Sequence, residues 1–451
     1  MGMAQYNAGY GDADISPPRG IRGRVGLSHR LELPGDPIAA RALYLKDAGG
    51  GEVVLISVEV VGLVGEVLER VRDRVAEVAP LPRESVVVTA THTHAGPWVW
   101  TRQARDAAEC GIKLLDTSWM ERVIEACAEA ALRARESAAP ALLKAGMAEV
   151  REVASNRLEY GWRSSWTEDP ELRARPVGSI DPIVRLLAIC TPEGEPQALV
   201  ANYACHPTAY GGGEVPFAAP DYPGFAERHF SRKRGRAVPL IYWMGCAGDI
   251  NTGKFCAEGN DEEVAGFGVR LGEALLKAFS TATEVDGSLE IERELHHFEP
   301  GEWMEPVEEA RARFEALSGP LARRLEAGES LEYSDYHEWR MALKRLDFCQ
   351  CLEPEGMPVE LIRLGLGPLQ LLFVPGEWFH RIGLELMAEK PLLAGGVPSV
   401  WVTTLASFDL NYVPDPGSFA RKEWYGVAPA VRILSDKGIL DMIAAAKGML
   451  E

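Results

Sequence analysis

Apolar residues along this chain gather in short, nearly unbroken runs, separated by longer stretches in which they recur every three or four positions. The runs occupy residues 53–61, 85–90, 183–189, 198–204, 238–244, 369–374 and 399–405, rich in β-branched residues and bounded by charge, glycine or proline. Such runs predict short strands buried in a sheet. Between them, residues 64–78, 119–134, 223–233, 262–280, 377–388 and 434–449 carry apolar positions at helical spacing and predict amphipathic helices. The alternation predicts an α/β fold of mixed sheet layers flanked by helices. The sheet is mixed because some neighbouring runs lie too close for a helical crossover between parallel strands.

Two segments depart from this pattern. Residues 302–346 are dense in Glu and Arg, with Ala310, Phe314, Leu317 and Leu321 at helical spacing. They predict a charged helical hairpin inserted on the surface, with the role of solvated face, lid or dimer contact left open. Residues 156–180, rich in Arg, Trp, Ser and Pro, predict a loop too long and polar to be packed filler, hence a functional one. The chain has no internal repeat and no long low-complexity linker, so one domain over 1–451 is expected, with the hairpin as its insertion.

Of the 451 residues, 47% are hydrophobic and 25% charged, which is ordinary for a soluble globular protein and sufficient for a large core. Acidic residues outnumber basic ones 66 to 47, a net charge of -19. That surface repels nucleic acid and anionic leaflets, so neither a nucleic-acid partner nor stable membrane association is expected. The first residues have no basic or apolar targeting character, and no apolar run reaches membrane-spanning length; a cytoplasmic location is expected, compatible with a homo-oligomer. The eight cysteines are scattered, and the close pair Cys349 and Cys351 lacks metal-site spacing, so free thiols are expected.

Coordinating residues cluster directly after predicted strands, where α/β sheets place their sites. In Thr91-His92-Thr93-His94-Ala95-Gly96-Pro97, a His-x-His pair at a strand end points two imidazoles to one side. This suits two contacts with a metal, or with a metal and its water, and equally a pair of capping histidines. His206 in Cys205-His206-Pro207 follows a strand as either a ligand or a hydrogen-bonded core histidine. The turn Gly245-Cys246-Ala247-Gly248-Asp249-Ile250-Asn251 either brings backbone amides to a substrate or is a turn alone. Glu377, at a predicted helix start, either favours the helix dipole or serves as an anionic ligand. Asn411-Tyr412-Val413-Pro414 follows the last strand.

Taken in order, THTHAGP, NYACHPT, the AGD turn, PGE and NYVP resemble the neutral/alkaline (non-lysosomal) ceramidase family. Its matching segments read HTHSGP, a strand ending in HPT, a GDVSPN turn, a P-x-E strand end and a Tyr-Val turn. Gly11-Asp12-Ala13-Asp14-Ile15-Ser16 is similar to that family's G-x-A-D-I-T opening, and Ser155-Asn156-Arg157 to its N-R-S-P loop. The likeness spans nearly the whole chain.

The resemblance implies a zinc amidase with one Zn2+ per chain, held by His92, His206, Glu377 and Tyr412, with His94 beside the metal-bound water. It places Arg157 near the substrate head group and Tyr425 as a second site tyrosine, a slot that Trp424 fits as well. The departures shape the expected substrate. Asn251 stands where the family turn has serine, and an Asn side chain forms no acyl-enzyme. Trp98 and Trp100 follow the histidine pair where the family has small glycines, which narrows a pocket that Asp249 and Asn251 would also line. With residues 434–449 read as a final helix, no C-terminal immunoglobulin-like domain is expected.

The expected activity is hydrolysis of a compact, soluble, linear or cyclic amide, or a related ester, by metal-activated water. His94 takes the water proton and returns it to the leaving amine, and Arg157 or Tyr425 steadies the oxyanion. The rivals are a true ceramidase releasing sphingosine and fatty acid, and a relative that binds metal or ligand without turnover.

Overall fold

The computed structural model describes the whole chain except residues 1–5, 21–30, 32, 34, 64–65, 98, 100, 114–116, 161–175, 211–214, 330, 332, 408–409 and 420–432. The seven predicted buried strands all form: β3 (Glu52–Val58), β4 (Val86–Ala90), β6 (Ile183–Cys190), β7 (Pro196–Tyr203), β8 (Leu240–Met244), β12 (Leu369–Phe373) and β13 (Val400–Thr403). Five more long strands accompany them: β1 (Tyr6–Asp14), β2 (Ala39–Asp47), β5 (Ala139–Glu149), β10 (Leu289–Phe298) and β11 (Met357–Leu366). With the short β9 (Thr283–Val285) paired to β5, the first sheet has nine strands in the order β4-β3-β2-β1-β5-β6-β7-β8; the second has four, β10-β11-β12-β13.

The mixed α/β character follows from how these strands use both faces. In β2 and β3, Leu43, Leu45, Val53 and Leu55 pack toward the second sheet, among Ile362, Leu364, Leu371 and Phe373. Their neighbours Ala42, Tyr44, Val54 and Ile56 pack under helices. Alternate side chains therefore enter two different cores, and in β3 this makes the sequence read as an unbroken apolar run. The covering helices are α1 (Glu66–Val78), α3 (Thr117–Glu136), α4 (Tyr222–Arg234) and α5 (Asp261–Ser280), with α2 (Thr101–Glu109) preceding α3.

Within these two sheets most neighbours are antiparallel, but three pairs are parallel: β3 with β4, β7 with β8, and β12 with β13. Their carboxyl ends meet. The Ser57 hydroxyl on β3 donates to the Tyr242 carbonyl on β8 at 2.9 Å, joining the two ends of the nine-stranded sheet. Asn202 at the end of β7 donates to the Val402 carbonyl at 2.9 Å, and Thr404 N donates to the Met244 carbonyl at 2.9 Å. The loops after β4, β7, β8, β12 and β13 thus open onto one place, and each carries one of the motifs singled out in the sequence.

The charged insertion is an antiparallel helical hairpin of α6 (Val307–Glu326) and α7 (Tyr333–Cys349). Ala310, Phe314 and Leu321 are buried in it and Leu317 is half-buried. It docks on α2, where Gln103 donates to Asp347 at 2.7 Å, and Lys344 contacts the Asn411 side chain, one residue before Tyr412. The predicted helix over 377–388 begins later, at His380, as α8 (His380–Met387). Glu377 instead lies in a two-residue strand, Glu377–Trp378, parallel to Tyr412–Val413, which removes the helix-dipole explanation for it. The final helix is α9 (Asp436–Gly448). Among the described residues no helix is long and apolar enough to cross a membrane, and all eight cysteines are free.

Candidate metal centre

His92 lies just beyond β4, in a left-handed conformation with φ 66°. The kink, rather than strand alternation, turns both histidines of the pair into one cluster. The His92 and His94 rings stand edge-on at 4.8 Å, and His206 meets them at 4.8 Å and 5.7 Å. Backbone bonds hold the two loops together: His94 N donates to the Pro207 carbonyl at 3.0 Å and His206 N to the Ile250 carbonyl at 3.3 Å. One nitrogen from each of the three rings lies within 4.8 Å of the others.

The far nitrogens decide what this cluster can hold. Nδ1 of His206 lies 2.8 Å from the Ile250 carbonyl, and Nδ1 of His92 faces the Val61 carbonyl. A carbonyl only accepts, so both Nδ1 atoms carry the proton and both Nε2 atoms present a lone pair. These lone pairs converge on the Glu377 carboxylate, Oε2 lying 2.8 Å from His206 Nε2 and 3.6 Å from His92 Nε2. Burial, and after it Arg157, lowers the His206 pKa to about 4, so its ring is neutral near pH 7. Three acceptor atoms this close in a buried site call for a cation between them. In tetrahedral zinc, Zn–N and Zn–O bonds near 2.0–2.1 Å put ligand atoms about 3.3 Å apart, a spacing the two observed distances bracket.

Tyr412 pairs directly with Glu377 in register, and Glu377 N donates to the Asn411 carbonyl at 2.6 Å. The Arg157 guanidinium stands 5.2 Å over the Tyr412 ring, 4.0 Å from Glu377 Oε2, and donates to the Gly248 carbonyl. Arg157 is buried, so its cation is directed at the centre and not at bulk solvent. It arrives there because Ser155–Asn156 pairs antiparallel with Ile250–Asn251. Gly248 is required by close approach: a Cβ there would stand 2.3 Å from the Glu377 carbonyl oxygen. Gly376 has φ 75°, and its added Cβ would meet the Asn411 carbonyl at 2.6 Å.

His92, His94, His206, Glu377, Tyr412 and Arg157, named from the sequence, thus come together. Asp249 and Asn251 lie close by in sequence, but their side chains bond within their own neighbourhood. Asn251 Oδ1 accepts from Gly253 N at 3.0 Å, and Asp249 accepts from His380 and Asn156. Trp98, Trp100 and Tyr425, with the rival Trp424, lie outside the described residues, as does most of the loop predicted over 156–180. Lys344, Ser179 and His380 were not anticipated: each is a single polar residue without a motif, and only the fold brings it to this region.

Residues 22–273, more than half of the chain, match the family model described as neutral/alkaline non-lysosomal ceramidase, N-terminal. The chain belongs to that family. Two solved structures share the fold over 99% of this chain. One is described as a crystal structure analysis of neutral ceramidase from Pseudomonas aeruginosa, with TM-score 0.72, 19% identity and 73% of that chain covered. The other, described as ceramidase complexed with C2, has TM-score 0.70, 18% identity and 74% of its chain covered. No curated protein matches the chain. Family membership makes the protein a hydrolase by class, with the ceramidase catalytic fold.

Proposed function

We propose that this protein is a zinc-dependent amide hydrolase. The observation that carries the reading is the convergence of His92 Nε2, His206 Nε2 and the Glu377 carboxylate in a buried site, with both Nδ1 atoms committed to backbone carbonyls. Two neutral imidazoles and one carboxylate form a donor set that suits zinc, and Tyr412, paired with Glu377, is the fourth proposed ligand. When bound, zinc supplies a Lewis acid that polarises the substrate carbonyl and acidifies water.

The protein's own groups do the rest. His94, half-buried and edge-on to both ligand rings, takes the proton from the attacking water and returns it to the leaving amine. Arg157 contributes fixed positive charge beside the developing oxyanion, oriented by the Gly248 carbonyl before substrate arrives. Asn251, bonded to Gly253 N, takes no covalent part. The substrate we favour is a compact polar amide in an aqueous compartment, in keeping with the net charge of -19.

Elemental analysis of protein expressed with zinc, followed by hydrolysis assays on N-acyl amino acids, lactams and a long-chain ceramide, tests this. One zinc per chain and higher kcat/KM on a compact amide are expected. Metal-free protein under those conditions defeats the zinc reading, a preference for ceramide defeats the substrate reading in favour of a true ceramidase, and bound zinc without turnover leaves a binding protein.

A further inference from the structure

We propose that Ser179, His380 and Asp249 form a second reactive centre, a serine nucleophile that takes the acyl group of activated carboxylic esters. This goes beyond the amide hydrolysis argued above and rests on different atoms.

Asp249 is buried, and its carboxylate faces three donors: the His380 backbone N–H at 2.9 Å, the His380 ring Nδ1 at 2.6 Å, and Asn156 Nδ2 at 3.0 Å. An ionised carboxylate only accepts, so Nδ1 carries the ring proton and Nε2 keeps its lone pair. Nε2 lies 2.9 Å from Ser179 Oγ. The tautomer makes the serine hydroxyl the donor of that bond, which is the arrangement by which an imidazole draws a proton from a nucleophile and a buried carboxylate steadies the imidazolium.

Position and rigidity support the assignment. His380 is buried at the start of α8, while Ser179 is exposed and within reach of a substrate from solvent. Gly178 precedes it at φ 78°, and Asn156 grips the turn twice. Its N–H donates to the Val177 carbonyl at 2.7 Å and its Nδ2 to the Ser179 carbonyl at 2.9 Å. The same Asn156 side chain therefore holds both the nucleophile's loop and the carboxylate that orients the base.

In the reaction, Ser179 Oγ adds to the ester carbonyl carbon as His380 Nε2 takes the hydroxyl proton, and the C=O π pair moves onto oxygen. When that pair returns, the bond to the leaving alkoxide breaks, and the alkoxide takes the proton from His380. Water then adds to the acyl carbon and gives its proton to Nε2. The seryl C–O bond breaks, Ser179 Oγ recovers the proton, and the carboxylic acid leaves.

An alkyl fluorophosphonate, whose fluoride is displaced by an activated serine, provides the probe. Intact-protein mass spectrometry should find one adduct, mapped by peptide sequencing to Ser179 and absent from Ser179→Ala. His380→Gln, checked for folding by circular dichroism, should slow labelling at least about 100-fold, the scale of general-base assistance. A readout free of variants is the wild-type rate against that of N-acetylserinamide, which it should exceed at least about 100-fold. No adduct, an adduct elsewhere, a rate that His380→Gln leaves unchanged, or a smaller excess over the free serine amide would each overturn the proposal.

Discussion

Three buried histidines, His92, His206 and His380, come from segments that follow the carboxyl ends of strands, yet they face opposite chemistry. In His92 and His206, Nδ1–H is spent on a neutral backbone carbonyl and Nε2 meets an anion, Glu377. In His380 the order is reversed: Nδ1–H meets an anion, Asp249, and Nε2 meets the neutral Ser179 hydroxyl. The charge that stabilises a cation thus sits on the lone-pair side in the first case and on the proton side in the second. One arrangement suits holding a metal ion, the other suits carrying a proton, and nothing about histidine as a residue type distinguishes them.

The comparison breaks most visibly if His206 is removed. His206→Ala should cut metal content below one per chain and lower amide kcat/KM by about 1,000-fold or more, since a lost ligand forfeits several kcal/mol of electrophilic assistance. Elemental analysis beside kinetics checks it; full zinc in the variant would reduce His206 to a core histidine. Gly248→Ala acts next, on the backbone shared by the two sites. Its Cβ would stand 2.3 Å from the Glu377 carbonyl oxygen, and the residue adjoins Asp249. A cost of about 2–3 kcal/mol is expected in urea unfolding, with metal content falling as well. An unchanged midpoint would mean that this contact does not hold the two sites in place.

A remote carboxylate sharpens the contrast by affecting stability alone. Glu360 on β11 binds Arg72 of α1 at 2.5 Å and Arg293 of β10 at 2.9 Å. Burial would raise its pKa, but Arg72 and Arg293 together outweigh burial and lower it. A carboxylate with a depressed folded pKa adds stability that is complete above its unfolded pKa, about 4.3, and disappears as pH falls through the folded value. Glu360→Gln should therefore cost about 1–2 kcal/mol at pH 7 and progressively less toward pH 3.5, with metal content unchanged. A urea titration at several pH values reads it, and a penalty constant with pH would contradict the charge assignment. Asn251→Ala should do least: about 1 kcal/mol from the lost bond to Gly253 N, and turnover within about threefold of wild type. Loss of activity with metal retained would bring that side chain into the chemistry after all.

Much of this molecule was legible in its residues for a physical reason. Strands buried on both faces must be apolar at every position, so β3, β4 and the other five stood out, and motif residues placed at their ends pointed to one site. Among the five long strands missed, β10, with the sequence LEIERELHHF, mixes polar with apolar positions along one partly exposed face, so it presents no continuous run. Glu377 illustrates the limit within the site itself. Its place after a strand was readable, but its pairing with Tyr412 was not, because that register depends on a segment 35 residues onward.

The sequence by itself thus determined the family, the α/β class, and which histidines, carboxylate and arginine gather at the centre: these follow from local periodicity and from short motifs in a set order. Only the tertiary structure decided the kink at His92, the tautomers of His206 and His380, and the meeting of Ser179, His380 and Asp249. Those depend on carbonyls, hydroxyls and carboxylates 31 to 201 residues distant along the chain, brought to hydrogen-bond range by packing that no local pattern encodes.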